Sequence, residues 1–161
     1  MSFYAERDIL TQVMNQRMFF QDINNSIQKY KHNKKEFSLI MVDLDHFKAV
    51  NDTYGHLVGD ETLVTLIKAI SEEKELDNNL YRYGGDEFFM LLPNTKLESA
   101  IEFGKNIHSL IQTLQFPKNL RLTASMGIVE FKDGEGIDEL IKRVDDLLYS
   151  AKQKGRNQFA Y

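Results

Sequence analysis

The sequence predicts an α/β fold in which helices pack over a central mixed β-sheet. Two short runs of strand-forming residues flank a glycine pair, one nearly continuous apolar run has the length of a buried strand, and several longer stretches carry apolar residues at helical spacing. Helices and strands in this order favour layers of helix on sheet. With 161 residues and 42% hydrophobic content, the chain is long enough for one domain, which we expect to span residues 1–161.

The first half of the chain predicts a helix, a central strand and a second helix. The first helix covers about residues 17–30, and its apolar positions follow a helical period: Met18, Phe19, Ile23 and Ile27. The strand covers Phe37–Leu44, where the unbroken apolar run is typical of a strand buried on both faces. Residues 46–63 begin as a polar, glycine-containing loop and run into the second helix. The apolar stripe of that helix is Leu63, Leu66, Ile67 and Ile70.

The second half predicts a hairpin, two more helices and two more strands. The hairpin strands are residues 80–83 and 88–92, and the Gly84–Gly85 pair between them predicts a tight turn with positive φ. A helix follows, with its stripe at Leu97, Ile101, Ile107, Ile111 and Leu114. We then expect a strand over residues 122–131, a helix over residues 137–151 that stops at Gly155, and a short tail strand.

Composition and charge narrow the possible partners. The net charge is −4 and no broad basic face is evident, so we expect no nucleic-acid partner. Cysteine is absent, which suits a reducing compartment, and no apolar run reaches the roughly 18 residues that span a bilayer. We therefore expect a cytoplasmic domain without direct membrane contact, cut from a longer protein that could itself be tethered to a membrane.

Two acidic pairs indicate a metal site. Asp43 and Asp45 end the predicted central strand, so their side chains should leave the same face. Asp86 and Glu87 follow the hairpin glycines. Either pair alone could be a solvated strand end or turn. Together they offer four hard oxygen donors from neighbouring strands, as Mg²⁺ requires when phosphate supplies its other ligands.

Other polar residues indicate a nucleotide site. Asp60 precedes a helical stripe and in isolation is explained by an N-cap, but its carboxylate could also accept two guanine protons, with the Asn51 amide completing the contacts. Lys152 and Arg156 are four apart near the end of the last helix, where cations often only complement the helix dipole. With Lys48 they could neutralise triphosphate oxygens, because the chain has no phosphate-binding GxxxxGK[ST] loop.

Motifs along almost the whole chain resemble one family. In order they are D-x-L-T followed by N-x-R at residues 8–17, VDLDHFKAVNDTYGHLVGD, RYGGDEF, LTASMGI and LYSAKQKGRN. This set resembles the GGDEF domain, the catalytic module of bacterial diguanylate cyclases. The resemblance implies a palm-like sheet similar to that of adenylyl cyclases and some polymerases, which agrees with the predicted element order.

The resemblance also implies an activity and a metal site. The enzyme would condense two GTP molecules into cyclic di-GMP and release pyrophosphate. Asp43 and Asp86 would hold Mg²⁺, or alternatively Mn²⁺, with help from the Leu44 carbonyl. Glu87 would assist the metal or the attacking hydroxyl.

The resemblance further implies how the substrate is bound. Asn51 and Asp60 would read guanine. The residues expected around the phosphates and in the pocket are Lys48, Lys152, Arg156 and Phe47. Because each domain would bind one GTP, a homodimer is expected for catalysis, and an upstream regulatory domain is expected in the parent protein.

Two departures and two alternatives accompany the resemblance. Glu75 and Asn78 stand where product-inhibited relatives carry R-x-x-D, so we expect that inhibitory site to be missing. Gln12 and Gln16 replace a usual glycine and arginine, which puts only the local turn in doubt.

One alternative is a degenerate module that binds GTP or a partner protein in a regulatory role. The other is an enzyme that takes ATP as one substrate, against which Asp60 argues because adenine offers N1 no proton.

Overall fold

The protein is built around a five-stranded mixed sheet, as the computed structural model, which describes residues 3–161, shows. The strands are β1 (Phe37–Leu44), β2 (Leu80–Arg82), β3 (Glu87–Pro93), β4 (Ala124–Glu130) and β5 (Phe159–Ala160). Their order across the sheet is β2-β3-β1-β4-β5, with β4 and β5 parallel and every other pair antiparallel. The predicted class, helices over a mixed sheet, is confirmed.

The helices cover both faces of this sheet. They are α1 (Phe3–Glu6), α2 (Gln16–Asn33), α3 (Phe47–Tyr54), α4 (His56–Ile70), α5 (Leu97–Thr113) and α6 (Ile137–Gln153). Alternate residues of β1 enter two separate cores: Met41 packs with apolar residues of α2 and α6, while Val42 packs with those of α4 and α5. All eight residues of β1 are therefore buried, and the prediction of a central strand is confirmed.

Two local expectations from the sequence were wrong. The segment after β1 is the helix α3 instead of a loop, because Val50 is buried and Phe47 packs against the core, which gives this polar stretch a short apolar stripe. The hairpin turn does not use positive φ at Gly84 or Gly85, since the positive-φ glycines are Gly55, Gly134 and Gly155. The absence of a side chain at position 84 instead leaves room for the Glu87 carboxylate.

The remaining predicted elements are confirmed with small shifts at their ends. The predicted stop of the last helix at Gly155 has the left-handed backbone expected there, with φ of 120°. Over residues 3–161, no helix combines the length and the apolar character needed to cross a membrane.

Candidate active site

The acidic residues from β1 and the hairpin converge at one end of the sheet. In the antiparallel register Asp43 of β1 lies directly opposite Glu87 of β3, and Asp86 is the last residue of the turn before β3. Directly opposed residues point to the same face, so Asp43 and Glu87 share the face covered by α2 and α6. The sheet register alone thus brings together carboxylates that are more than 40 positions apart in the sequence.

Asp43 is a buried carboxylate whose hydrogen-bonding capacity is only half used. Its side chain is 6% exposed, and Oδ2 accepts a hydrogen bond from the ammonium group of Lys152. Oδ1 finds no hydrogen-bond donor among the described residues. Burial, followed by the adjacent Asp86 carboxylate, raises the pKa of Asp43 to about 7 from its usual 3.8, although Lys152 opposes the shift. A shared proton or a bound cation would satisfy this oxygen, because two ionised carboxylates cannot satisfy one another.

Glu87 borders a cavity whose lining does not include Asp43 or Asp86. This space of about 460 Å³ is lined by Phe20, Met41, Tyr83, Glu87, Asp138, Ile141, Lys142 and Asp145. Burial and the charges of Asp86 and Asp145 raise the pKa of Glu87, with Lys152 opposing. A β-carbon on Gly84 would lie 2.7 Å from Glu87 Oε1, so the glycine leaves room for this carboxylate.

Asp45 was expected to be a fourth metal donor, and the structure gives it another role. Its side-chain oxygens accept hydrogen bonds from the hydroxyls of Thr123 and Ser125 and from the backbone N–H of Asn157, at 2.7, 2.7 and 2.9 Å. These bonds connect the end of β1 to β4 and to the segment after α6. Asp45 is therefore a structural anchor, which could not be inferred from its spacing to Asp43.

The turn that carries Asp86 is fixed by Arg82, a residue that is not among the candidates predicted from the sequence. The Arg82 guanidinium donates to the carbonyls of Gly84 and Gly85, with its shortest contact 2.8 Å to the latter. It also forms an ion pair with Asp8 at 3.2 Å, and Asp8 in turn accepts from Thr11. The N-terminal D-x-L-T motif is thereby connected to the acidic turn, through contacts that only become visible once the chain has folded.

Three cations predicted to bind phosphate line one cavity with three of the four predicted metal ligands, and Glu87 is not part of its lining. The cavity measures about 410 Å³, and its walls include Asp43, Leu44, Phe47, Lys48, Asp86, Lys152 and Arg156. The reasoning that placed Arg156 on the last helix was wrong, because α6 ends at Gln153 and Arg156 lies beyond it with φ of 62°. Arg156 reaches the cavity because the chain reverses after the helix, with its N–H donating to the Ala151 carbonyl.

The two candidate guanine readers lie on α3 and α4, outside the set of residues that line this cavity. Asn51 is on α3, and Asp60 is in the second turn of α4. The explanation of Asp60 as an N-cap is wrong, because Gly55 holds that position. Asp60 is exposed on α4 and has no capping role.

Gln12, Glu75 and Asn78, which differ from the family pattern, lie in exposed turns or have an unusual backbone conformation. Gln12 adopts φ of 68° in the N-terminal turn, a backbone conformation that favours glycine. Glu75 lies in a short 3-10 turn, Lys74–Leu76, and Asn78 accepts a hydrogen bond from Arg7 at 2.8 Å. Both Glu75 and Asn78 are exposed.

Comparison with known proteins finds relatives that match almost the whole chain. A family model described as "Diguanylate cyclase, GGDEF domain" matches residues 5–158. Diguanylate cyclase VdcA of Vibrio cholerae is 39% identical over 94% of this chain and 45% of its own length. Diguanylate cyclase DgcM of Escherichia coli is 36% identical over 96% of this chain and 38% of its own length. The chain thus spans less than half of these curated relatives.

A solved structure extends the comparison to three dimensions. The GGDEF domain of DgcB from Caulobacter crescentus, in complex with c-di-GMP, superposes with a TM-score of 0.90 at 28% identity. The alignment covers 97% of this chain and 92% of that one. The likeness therefore extends over almost the whole chain.

Proposed function

Because this chain belongs to the GGDEF domain family of diguanylate cyclases, we propose that it condenses two molecules of GTP into cyclic di-GMP with release of pyrophosphate. The observation that carries the proposal is the Asp43–Asp86 pair beside Lys48, Lys152 and Arg156 in one cavity. A metal-bound triphosphate requires carboxylates that hold the metal ion and cations that neutralise the phosphate oxygens.

Asp43 and Asp86 fit a divalent metal ion, although the described residues hold no preformed group of three or more acidic or histidine ligands. Asp43 offers a buried oxygen without a hydrogen-bond donor among the described residues, and Asp86 lies next to it. These two carboxylates, the Leu44 carbonyl and Glu87 are our proposed ligands for Mg²⁺, with Mn²⁺ as a possible substitute. When bound, such an ion stabilises negative charge on the attacking and leaving oxygens of phosphoryl transfer.

The protein's own groups would orient the triphosphate and accept the proton. Lys48 and Arg156 would contact the phosphate oxygens, and Lys152 would join them by exchanging its ion pair with Asp43 for the substrate. In each bond-forming step a ribose 3′-oxygen attacks the α-phosphorus of the other GTP, and the bond from that phosphorus to the bridging oxygen of pyrophosphate breaks. The raised pKa of Glu87 suits it to take up the proton of the attacking hydroxyl.

The base would be recognised from α3 and α4. The Asp60 carboxylate would accept the N1 and N2 protons of guanine, and the Asn51 amide would add a further hydrogen bond. Phe47, which lines the cavity from the start of α3, would pack beside the nucleotide. Adenine lacks the N1 proton, so a carboxylate facing it would be left without a donor.

Two copies of the domain must face each other for the reaction to finish. Each copy would supply one GTP, and two identical bonds are made, so a twofold homodimer is the simplest arrangement. The rate should therefore rise more steeply than in proportion to protein concentration. A regulatory domain elsewhere in a longer protein stays a prediction.

The test is to identify the products at high protein concentration. The protein is incubated with Mg²⁺ and GTP, ATP or both, and the nucleotides are separated by chromatography. We expect cyclic di-GMP and pyrophosphate from GTP alone, and no product from Asp86→Ala at unchanged fold. The control is Asp146→Ala, which removes an exposed acid of α6 and should retain activity. Nucleotide binding without turnover, even after fusion to a dimeric coiled coil, would instead support a regulatory module.

A further inference from the structure

The corner between α3 and α4 brings the two helices into close contact at Gly59. Gly55, with φ of 89°, turns the chain between the helices, and Gly59 is buried one turn into α4. A β-carbon built on Gly59 would lie 1.8 Å from Oδ1 and 2.9 Å from Cγ of Asn51. Both distances are far inside van der Waals contact, so the Asn51 amide lies where any other residue would place its side chain.

The nature of these neighbouring atoms decides what a side chain at position 59 would do. Asn51 Oδ1 is the movable end of a side chain, and the next contact, with Phe47 Cζ at 3.4 Å, is close but also lies at the end of a side chain. A methyl group at position 59 would therefore turn the amide away and leave the two helix backbones in place. Glycine is among the poorest helix formers, so its presence inside α4 calls for a local reason such as this close approach.

We propose that Gly59 is a positioning residue for nucleotide recognition, which holds the Asn51 amide against α4 next to Asp60. The missing β-carbon allows the amide to lie over the helix one residue before the carboxylate. The two groups can then present their hydrogen-bonding atoms to the same base. The inference rests on the proposed function, because it assigns Gly59 a part in the recognition of guanine.

The test separates binding from stability. Affinity is measured by calorimetry with Mg²⁺ and α,β-methylene-GTP, in which the scissile bridging oxygen is replaced and no product forms. For Gly59→Ala we expect about ten-fold weaker binding, the equivalent of one lost hydrogen bond. The melting temperature should stay the same or rise, because alanine is the better helix former. If Gly59 had a purely structural role, Gly59→Ala would lower the affinity and the melting temperature together.

A double-mutant cycle tests whether Gly59 acts through Asn51. Asn51→Ala should weaken binding by a similar factor, and adding Gly59→Ala to it should cost nothing more, since the displaced amide is already gone. The matched control is Gly104→Ala in α5, where a β-carbon would lie 2.6 Å from Ile128 Cδ1 in the core. That variant should lower the melting temperature without changing nucleotide affinity.

The outcomes distinguish this inference from the proposed function. If the unaltered protein does not bind the GTP analogue, both are overturned. A second outcome is that the unaltered protein binds the analogue and Asn51→Ala weakens binding, but Gly59→Ala does not. In that case the inference is overturned and the proposed function stands. If Gly59→Ala and the double variant both fail to fold, the methyl group meets more than a movable amide and the inference is again overturned.

Discussion

Ionised Asp43 should destabilise the metal-free protein, so Asp43→Asn should stabilise it. The Asp43 side chain is buried beside Asp86, and these surroundings raise its pKa to about 7. Each pKa unit corresponds to about 1.4 kcal/mol, so the shift from 3.8 sets an upper limit of about 4 kcal/mol on the cost of ionisation. This limit already includes the opposing effect of Lys152, and because relaxation and water penetration reduce the real cost of a buried charge, we expect a net gain of about 1–2 kcal/mol.

The pH dependence has a definite sign. Below pH 3.8 Asp43 is protonated in both the folded and the unfolded protein, and its raised pKa costs nothing. As the pH rises from 3.8 to about 7, the unfolded state releases the proton first, and the folded state loses stability until its own proton has left. The advantage of Asp43→Asn should therefore be small at pH 4.5, large at pH 8 and constant above that.

Urea unfolding in EDTA measures this effect. The chain has seven tyrosines and no tryptophan, so tyrosine fluorescence with circular dichroism can follow the transition. At pH 8, with a slope of about 2 kcal/mol per molar urea, the midpoint should rise by about 0.5–1 M. Asp146→Asn, at a side chain 64% exposed, is the control and should shift stability by less than about 0.5 kcal/mol. A destabilised Asp43→Asn, or a gain that does not change with pH, would refute the reasoning.

Three further predictions follow from other parts of the structure. Gln12→Gly should raise the free energy of unfolding by about 1 kcal/mol, because Gln12 has φ of 68°; a lower stability in urea unfolding would contradict this explanation. Arg82→Ala should lower the free energy of unfolding by about 2 kcal/mol, since it leaves Asp8 without its cation. The same variant should reduce cyclic di-GMP synthesis at least ten-fold, because the turn that carries Asp86 loses its support. Normal synthesis by the folded variant would show that Arg82 does not position the turn. Added cyclic di-GMP should not inhibit synthesis through a site at Glu75 and Asn78. Placing Arg at position 75 and Asp at position 78 should introduce such inhibition. If cyclic di-GMP inhibits the unaltered protein and Asn78→Ala abolishes that inhibition, the site is functional and the prediction is wrong.

The central strand and the main helices could be predicted because their signals are local. The run Phe37–Leu44 is apolar at every position before Asp43 except Ser38, and a continuous apolar run of this short length is typical of a strand covered on both faces. The α3 segment could not be predicted in the same way. Its stripe consists of little more than Phe47 and Val50, which become significant only when the core beneath them exists.

The acids at the end of β1 also show what local sequence cannot predict. Asp43 and Asp45 look equivalent in the sequence, being two residues apart at one strand end. The fold places Thr123, Ser125 and Asn157 around Asp45 and leaves Oδ1 of Asp43 without a donor among the described residues. Hydrogen bonds between distant segments therefore decide which acid is an anchor and which is available to a cation.

The sequence by itself determined the class of fold, the order of the main elements and the residue types from which a metal and nucleotide site could be made. Those features depend on side-chain chemistry and on periods of two or 3.6 residues, both of which are written locally along the chain. Only the tertiary structure decided that Arg82 holds the acidic turn, that Arg156 reaches the cavity from beyond α6, and that Gly59 makes room for Asn51. These are contacts between separate segments, and they depend on strand register and helix approach to within about an ångström, which no local pattern specifies.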